Sequence, residues 1–201
     1  MARLESTNFA GMHSGAMTKL PIVFGAMRFG REGFFPTQEI WEKIHIALGV
    51  EQSRVHNLKD AGVLLDIFRE HGHERVDTAR IYGEGSSEEY LGGLQLQERR
   101  LVVDTKLYPT VVDGGKISHT TASLRKHLLE SLKTLKTDKV NLWYLHGPDR
   151  NTSFEETFRA CNGLQKEGLF SRLGLSNYMS WEVAYISEMC IQNDWIRPTV
   201  Y

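Results

Sequence analysis

An α/β fold built from parallel strands is what this sequence predicts, and three observations carry the prediction. From Leu20 onward, short apolar runs alternate with amphipathic helical stretches joined by short links. The early glycine-rich turn, "FGAMRFGREG", has glycines at 25, 30 and 33, the wrong spacing for the dinucleotide fingerprint of an open Rossmann sheet. Polar, chemistry-capable residues stand at the C-terminal ends of several different strands: Asp77, Lys106, His146 and the pair Ser176–Asn177. That pattern belongs to a TIM (β/α)8 barrel, whose strand ends converge on one rim. The 201 residues hold five full strands and the start of a sixth. Such a barrel typically takes about 250 residues, so the expected fold is an incomplete barrel with about strands 1–6 present.

Each element follows from its residues. "LPIVFGAM" is a short apolar strand ending in Gly25-Ala26-Met27. In "AGVLLDIFREHG", Val63, Leu64, Ile67 and Phe68 keep helical spacing, and Gly72 is placed to end the helix. His71 and His73 fall in the turn that follows and are expected to be solvated. "ERVDTA" is a strand ending in Asp77. "SSEEYLGGL" opens with a serine that can cap a helix whose first turn is acidic, which suits the helix dipole. "RLVVDTKLYP" is a strand, and "TTASLRKHLLESLKTLK" a helix with Leu124, Leu128, Leu132 and Leu135 on one stripe. "KVNLWYLHGPD" is a strand, followed by the helix "SFEETFRACNGLQKEG", where Ser153 and Glu156 have capping-box spacing. "SRLGLSNY" is a strand, "SWEVAYISEMCIQND" a helix, and "RPTVY" begins a sixth strand.

Composition narrows the classes of function. Hydrophobic residues make up 41% and charged residues 24%, as in an ordinary globular protein. The 24 basic residues nearly balance the 25 acidic ones, so neither nucleic acid nor a membrane is an expected partner. The N-terminal stretch "MARLESTNFAGMHSGAMTKL" lacks the apolar centre of a signal peptide. Residues 1–19 read as a disordered tail and 20–201 as one domain. Cys161 and Cys190 fit no metal-ligand spacing and read as reduced thiols of a cytoplasmic protein.

Singly, each strand-end residue has an ordinary explanation: a capping Asp, a packed Tyr, a surface Lys, a core His. Together on one rim, Asp77, Tyr82, Lys106 and His146 make coherent chemistry. A phenol titrates near ~10 and is a poor proton donor at neutral pH. A neighbouring lysine ammonium is expected to lower that value, with Asp77 holding the lysine charged. A neutral histidine can orient a carbonyl oxygen. The set is a general acid that protonates an oxygen as hydride arrives at carbon, and the hydride must come from a nicotinamide.

These residues resemble the aldo-keto reductase family. "VDTARIYGEGSSEEYLGG" is similar to its signature, in which D-T-A is followed by Y-G and then E-x-x-L-G. "DTKLYP" resembles the lysine segment, "YLHGPDR" the histidine segment and "RLGLSNY" the segment that holds the nicotinamide carboxamide. "YLHGPDR" and "SSEEYLGG" look most like the aflatoxin B1 aldehyde reductase branch. The resemblance runs from about Leu20 to Tyr201. It implies Asp77, Tyr82, Lys106 and His146 as the catalytic tetrad, with Tyr82 as the acid. It also implies NADPH as cofactor, with Met27, Asp77, Ser176 and Asn177 as its contacts.

Two stretches depart from the family pattern. "FFPTQEIWEKIHIALGV", 34–50, stands where the family has a short link. It reads either as an intron translated in frame or as an extra amphipathic helix carrying Ile40, Trp41, Ile44 and Leu48. The family's nicotinamide-stacking aromatic and its phosphate contacts come mainly from strands seven and eight, beyond Tyr201. By lineage the chain is expected to reduce aldehydes and ketones to alcohols with NADPH, with that activity impaired in a C-terminally truncated chain. Its partner is a small-molecule aldehyde or ketone, with a homodimer open to the full-length form. The alternative is a catalytically dead fragment or a partner-binding pseudoenzyme.

Overall fold

The computed structural model describes residues 20–31, 54–110 and 117–201; the readings of 1–19 and 34–50 lie outside the described residues. Among the described residues, six strands form one sheet: β1 (Val23–Gly25), β2 (Arg75–Asp77), β3 (Val102–Leu107), β4 (Val140–Leu145), β5 (Phe170–Leu175) and β6 (Pro198–Val200). All five neighbouring pairs are parallel, and sheet order equals chain order. A doubly wound sheet reverses its order at a switch point. This one never does, so its strands are consecutive staves of a barrel, with β1 and β6 as the two edges. The connecting helices are α1 (Leu58–Glu70), α2 (Ser86–Gly93), α3 (Thr121–Leu135), α4 (Phe154–Lys166) and α5 (Ser180–Gln192).

Side chains alternate along each strand. Val103, Leu107, Trp143, Leu145, Leu173 and Leu175 join the buried core shared with the helices. The alternate positions, Asp104 and Lys106 on β3, Tyr144 on β4 and Arg172 on β5, point to the other face. Register aligns Lys106 with Tyr144 and Tyr144 with Gly174. The leucine stripe expected on α3 is buried as a whole: Leu124, Leu128, Leu132 and Leu135. No helix among the described residues is long and apolar enough to cross a membrane.

Local chemistry differs from the expected pattern at three helices. On α1 the buried residues are Ala61, Gly62 and Leu65, while Val63, Leu64 and Ile67 are 49%, 39% and 48% exposed. The small Ala61–Gly62 step lets the helix approach the Leu94 side chain closely, which rotates the buried stripe away from the bulkier residues. Gly72 does take the left-handed φ of 78° just past this helix. His73, expected in solvent, is half-buried with its ring stacked on Phe68. At α2 the cap is Gly85, at φ 88°, and the Ser86 hydroxyl donates backwards to Gly83 O. At α4 only half of the capping box forms. Ser153 Oγ accepts from Glu156 N, but the Glu156 carboxylate accepts from Thr121 N and ties α3 to α4.

Helices α2 and α3 meet at Gly92, where an added Cβ would lie 2.0 Å from the Thr134 carbonyl oxygen. Backbone cannot yield as a flexible side chain would. Gly92→Ala should therefore carry an overpacking cost of about 1–3 kcal/mol or more. At about 2–4 °C per kcal/mol for a chain of this size, a thermal melt should fall by roughly 5 °C. An unchanged melting temperature would show that these helices do not meet so closely.

Candidate active site

The C-terminal ends of β2 to β5 are laced together, each to the strand before or after it. Thr78 N donates to Asp104 O and Arg80 N to Lys106 O, at 2.9 and 3.1 Å. His146 N donates to Leu107 O at 2.9 Å, and Ser176 N to Leu145 O at 3.0 Å. This lacing brings Asp77, Lys106, His146 and Ser176 to one rim. Tyr82 joins them from the 3-10 turn Tyr82–Gly85, where left-handed residues Gly83, Glu84 and Gly85 fold the chain back into α2.

Lys106 Nζ donates to the Asp77 carboxylate and, at 2.7 Å, to Thr78 O. The same nitrogen lies 5.1 Å from the centre of the Tyr82 ring and 5.5 Å from that of Tyr144. The His146 imidazole stands edge-on to two rings, Tyr82 and Tyr108, with centroids 5.7 Å away in both cases. Asn177 takes a left-handed φ of 61°, and its Nδ2 donates to His146 O at 2.7 Å and Ser176 Oγ at 3.0 Å. Met27 is half-buried in the turn after β1, next to Ala26, whose N–H donates to Asp77 O at 2.8 Å.

Burial dominates the electrostatics of the four central residues. It pushes Asp77 up and Lys106 down, each toward its neutral form, and the ion pair between them opposes both shifts. Burial, with the Asp77 charge second, raises the Tyr82 phenol to about 12. The expected lowering of Tyr82 by Lys106 is therefore corrected: desolvation, with the nearby carboxylate second, raises the phenol, which keeps its proton at neutral pH.

Burial and then the Lys106 charge lower His146 to about 4. Its imidazole should stay neutral down to that pH, which a proton NMR titration of its ring resonances would read directly. A midpoint near the ordinary ~6.5 would contradict the burial seen here. Because the folded value is depressed, the unfolded chain binds this proton more readily. The stability His146 contributes is present above about pH 6.5 and is lost as pH falls through about 4.

Sequence reasoning missed the layer beneath the rim. Asp104, only 1% exposed, accepts from Arg75 Nη2 at 2.6 Å, from Leu142 N at 3.0 Å and from Asn141 Nδ2 at 3.2 Å. The signal was present in "VVDTK", where period-two spacing puts Asp104 on the same strand face as Lys106. Tyr108, packed on His146 and over Gly147, was also passed over. Beside the rim lies a cleft of about 270 Å³ lined by Arg80, Glu84, Leu107 and Tyr108. A cavity of about 630 Å³ opens at the N-terminal ends of β3 and β4, among Leu101, Val102, Lys139 and Asn141, and touches none of the rim residues.

Comparison with known proteins bears on the family and the fold. The family profile described as "Aldo/keto reductase family" matches residues 21–199. The chain is 44% identical to aldo-keto reductase pigE of Monascus ruber over 189 residues, 92% of this chain and 51% of that protein. It is 42% identical to human aflatoxin B1 aldehyde reductase member 4 over 156 residues, 76% of this chain and 46% of that protein. The chain thus spans about half the length of the curated relatives it matches. Among solved structures, the thermostable aldo-keto reductase Tm1743, in complex with the inhibitor epalrestat, superposes with a TM-score of 0.64 at 24% identity. That match covers 91% of this chain and 58% of the other, and supports the barrel topology.

Proposed function

The chain belongs to the aldo/keto reductase family, and from that premise we propose that it reduces aldehydes and ketones to alcohols with NADPH at the rim of Asp77, Tyr82, Lys106 and His146. One observation carries the reading: a buried lysine, bonded to the Asp77 carboxylate, faces a phenol that keeps its proton. The pieces of an acid–base site are otherwise expensive to bury together.

Each residue has a task. Tyr82 Oη gives its proton to the carbonyl oxygen of the substrate as charge develops there. Lys106, anchored by Asp77 and Thr78 O over the Tyr82 ring, would stabilise the phenolate left behind. His146, neutral and wedged between Tyr82 and Tyr108, orients the carbonyl oxygen toward Tyr82. The residues at the mouth of β5 fit the amide end of a nicotinamide. Asn177 is exposed, its side-chain amide is fixed by two hydrogen bonds, and the Ser176 hydroxyl stands beside it. Ser176 and Asn177 would hold the carboxamide, with Met27 and Asp77 alongside. NADPH bound there supplies the hydride that no side chain provides.

Both cysteines are free and buried, which supports a reducing, cytoplasmic setting. The test is reduction of small aromatic aldehydes by a completed chain, these residues joined to the C-terminal half of a relative. NADPH consumption matched by alcohol formation is the expected result. A folded, completed chain that consumes no NADPH with any aldehyde or ketone tried would end the proposal.

A further inference from the structure

Asp77 and Asp104 are register partners on β2 and β3, so two carboxylates stand side by side on neighbouring strands. Two cations bracket them. Lys106, two residues beyond Asp104 on the same face of β3, leans back to Asp77. Arg75, two residues before Asp77 on the same face of β2, reaches across to Asp104 Oδ2 at 2.6 Å. The other oxygen of Asp104 is held by Leu142 N and Asn141 Nδ2 of β4. Every bond Asp104 makes therefore crosses to a neighbouring strand. A buried ion pair is weak as a source of stability, because desolvation offsets most of the attraction. Its placement directly below the Asp77–Lys106 pair points to another use.

We propose that Arg75 and Asp104 are positioning residues that set the charge state and posture of the Asp77–Lys106 pair. Asp104 adds a second negative charge beneath Lys106 and favours its ammonium form, while Arg75 cancels the repulsion that Asp104 would otherwise exert on Asp77. The chemical use of that pair rests on the reductase reading; the electrostatic coupling does not. Among the described residues, Tyr82 from the turn after β2 and Tyr144 from β4 also interact with Asp77; on β1 its register partner is Gly25, which carries no charge. The Asp104 charge raises both Asp77 and Lys106, and the Arg75 charge lowers Asp77, in line with this arrangement.

The test compares the 201-residue chain with Arg75→Met, Asp104→Asn and the double variant. The Asp77 carboxyl is followed by carbon NMR through a pH titration. Its midpoint should rise in Arg75→Met and fall in Asp104→Asn, each by on the order of half a pH unit, the scale of one nearby unit charge in a partly screened site. The double variant should return close to the starting value, a rescue that lost packing cannot give. As a second readout, acetylation of Lys106, followed by mass spectrometry at low protein concentration, should begin at lower pH in Asp104→Asn. Should Arg75→Met not fold alone, Asp104→Asn must still show a lower Asp77 midpoint than the double variant. Midpoints that stay put, or that move in the same direction in both single variants, overturn the proposal. Turnover enters none of these readouts, so a chain without reductase activity leaves the coupling standing, and an active enzyme with unmoved midpoints sinks the coupling alone.

Discussion

Tyr82→Phe in a completed chain is expected to cut carbonyl reduction by roughly 10²–10⁴, the usual scale for loss of a general acid. The substitution removes one oxygen and keeps the ring, so the edge-on packing against His146 and the approach of Lys106 to the ring survive. The loss should fall on kcat more than on KM, because the proton moves only as the transition state forms. Two other phenols of the described residues flank the site, Tyr108 against His146 and Tyr144 beside Lys106. Tyr144 is the register partner of Lys106, its ring centre 5.5 Å from Nζ, and its own phenol is raised mainly by burial. Steady-state turnover of a small aromatic aldehyde with saturating NADPH reads the effect. Undiminished turnover in the variant would remove Tyr82 from the mechanism.

The second large effect concerns the cofactor. A polypeptide of these 201 residues alone is expected to hold NADPH roughly three to six decades more weakly than a completed chain. In the proposed site Ser176 and Asn177 would reach only the carboxamide end, and the family resemblance puts the phosphate contacts on strands seven and eight. A hydrogen bond to a charged group contributes about 1.5–3 kcal/mol, and about three such contacts are involved. At about 1.4 kcal/mol per decade, their loss gives that range. Quenching of tryptophan fluorescence on NADPH titration measures it. Micromolar binding by the isolated 201 residues would show that the rim grips the dinucleotide by contacts beyond the carboxamide.

The strand order and the rim were legible because both follow from short-range patterns. Apolar runs, a polar residue at the end of several of them, and helical repeats such as Leu124–Leu128–Leu132–Leu135 are all written within one element. What escaped detection depends on neighbours distant in sequence. Which face of α1 is buried depends on how closely Ala61 and Gly62 can approach Leu94. The reach of Glu156 to Thr121 depends on α3 lying beside it. The proton affinity of Tyr82 turned on how much water the fold removes, which spacing does not reveal. Asp104 escaped for a related reason. A carboxylate inside a strand reads as a solvent-facing residue until β2 and β4 close around it.

Chain-order strand pairing also bears on how the molecule forms. Each strand pairs with the next one along the chain, so every sheet contact spans a single strand–helix–strand unit. The contacts that build the rim are of the same kind: Asp77 with Lys106, and His146 with Asn177, join neighbouring units. Such a topology has low contact order for a parallel sheet, and loop closure at each step is small. A chain emerging from the ribosome can therefore dock each unit onto the last as it is made. The Asp77–Lys106 pair would be in place once β3 has docked, before β5 has been synthesised. The proposed rim would then assemble by accretion from the N-terminal side, with Ser176 and Asn177 joining after Asp77 and Lys106.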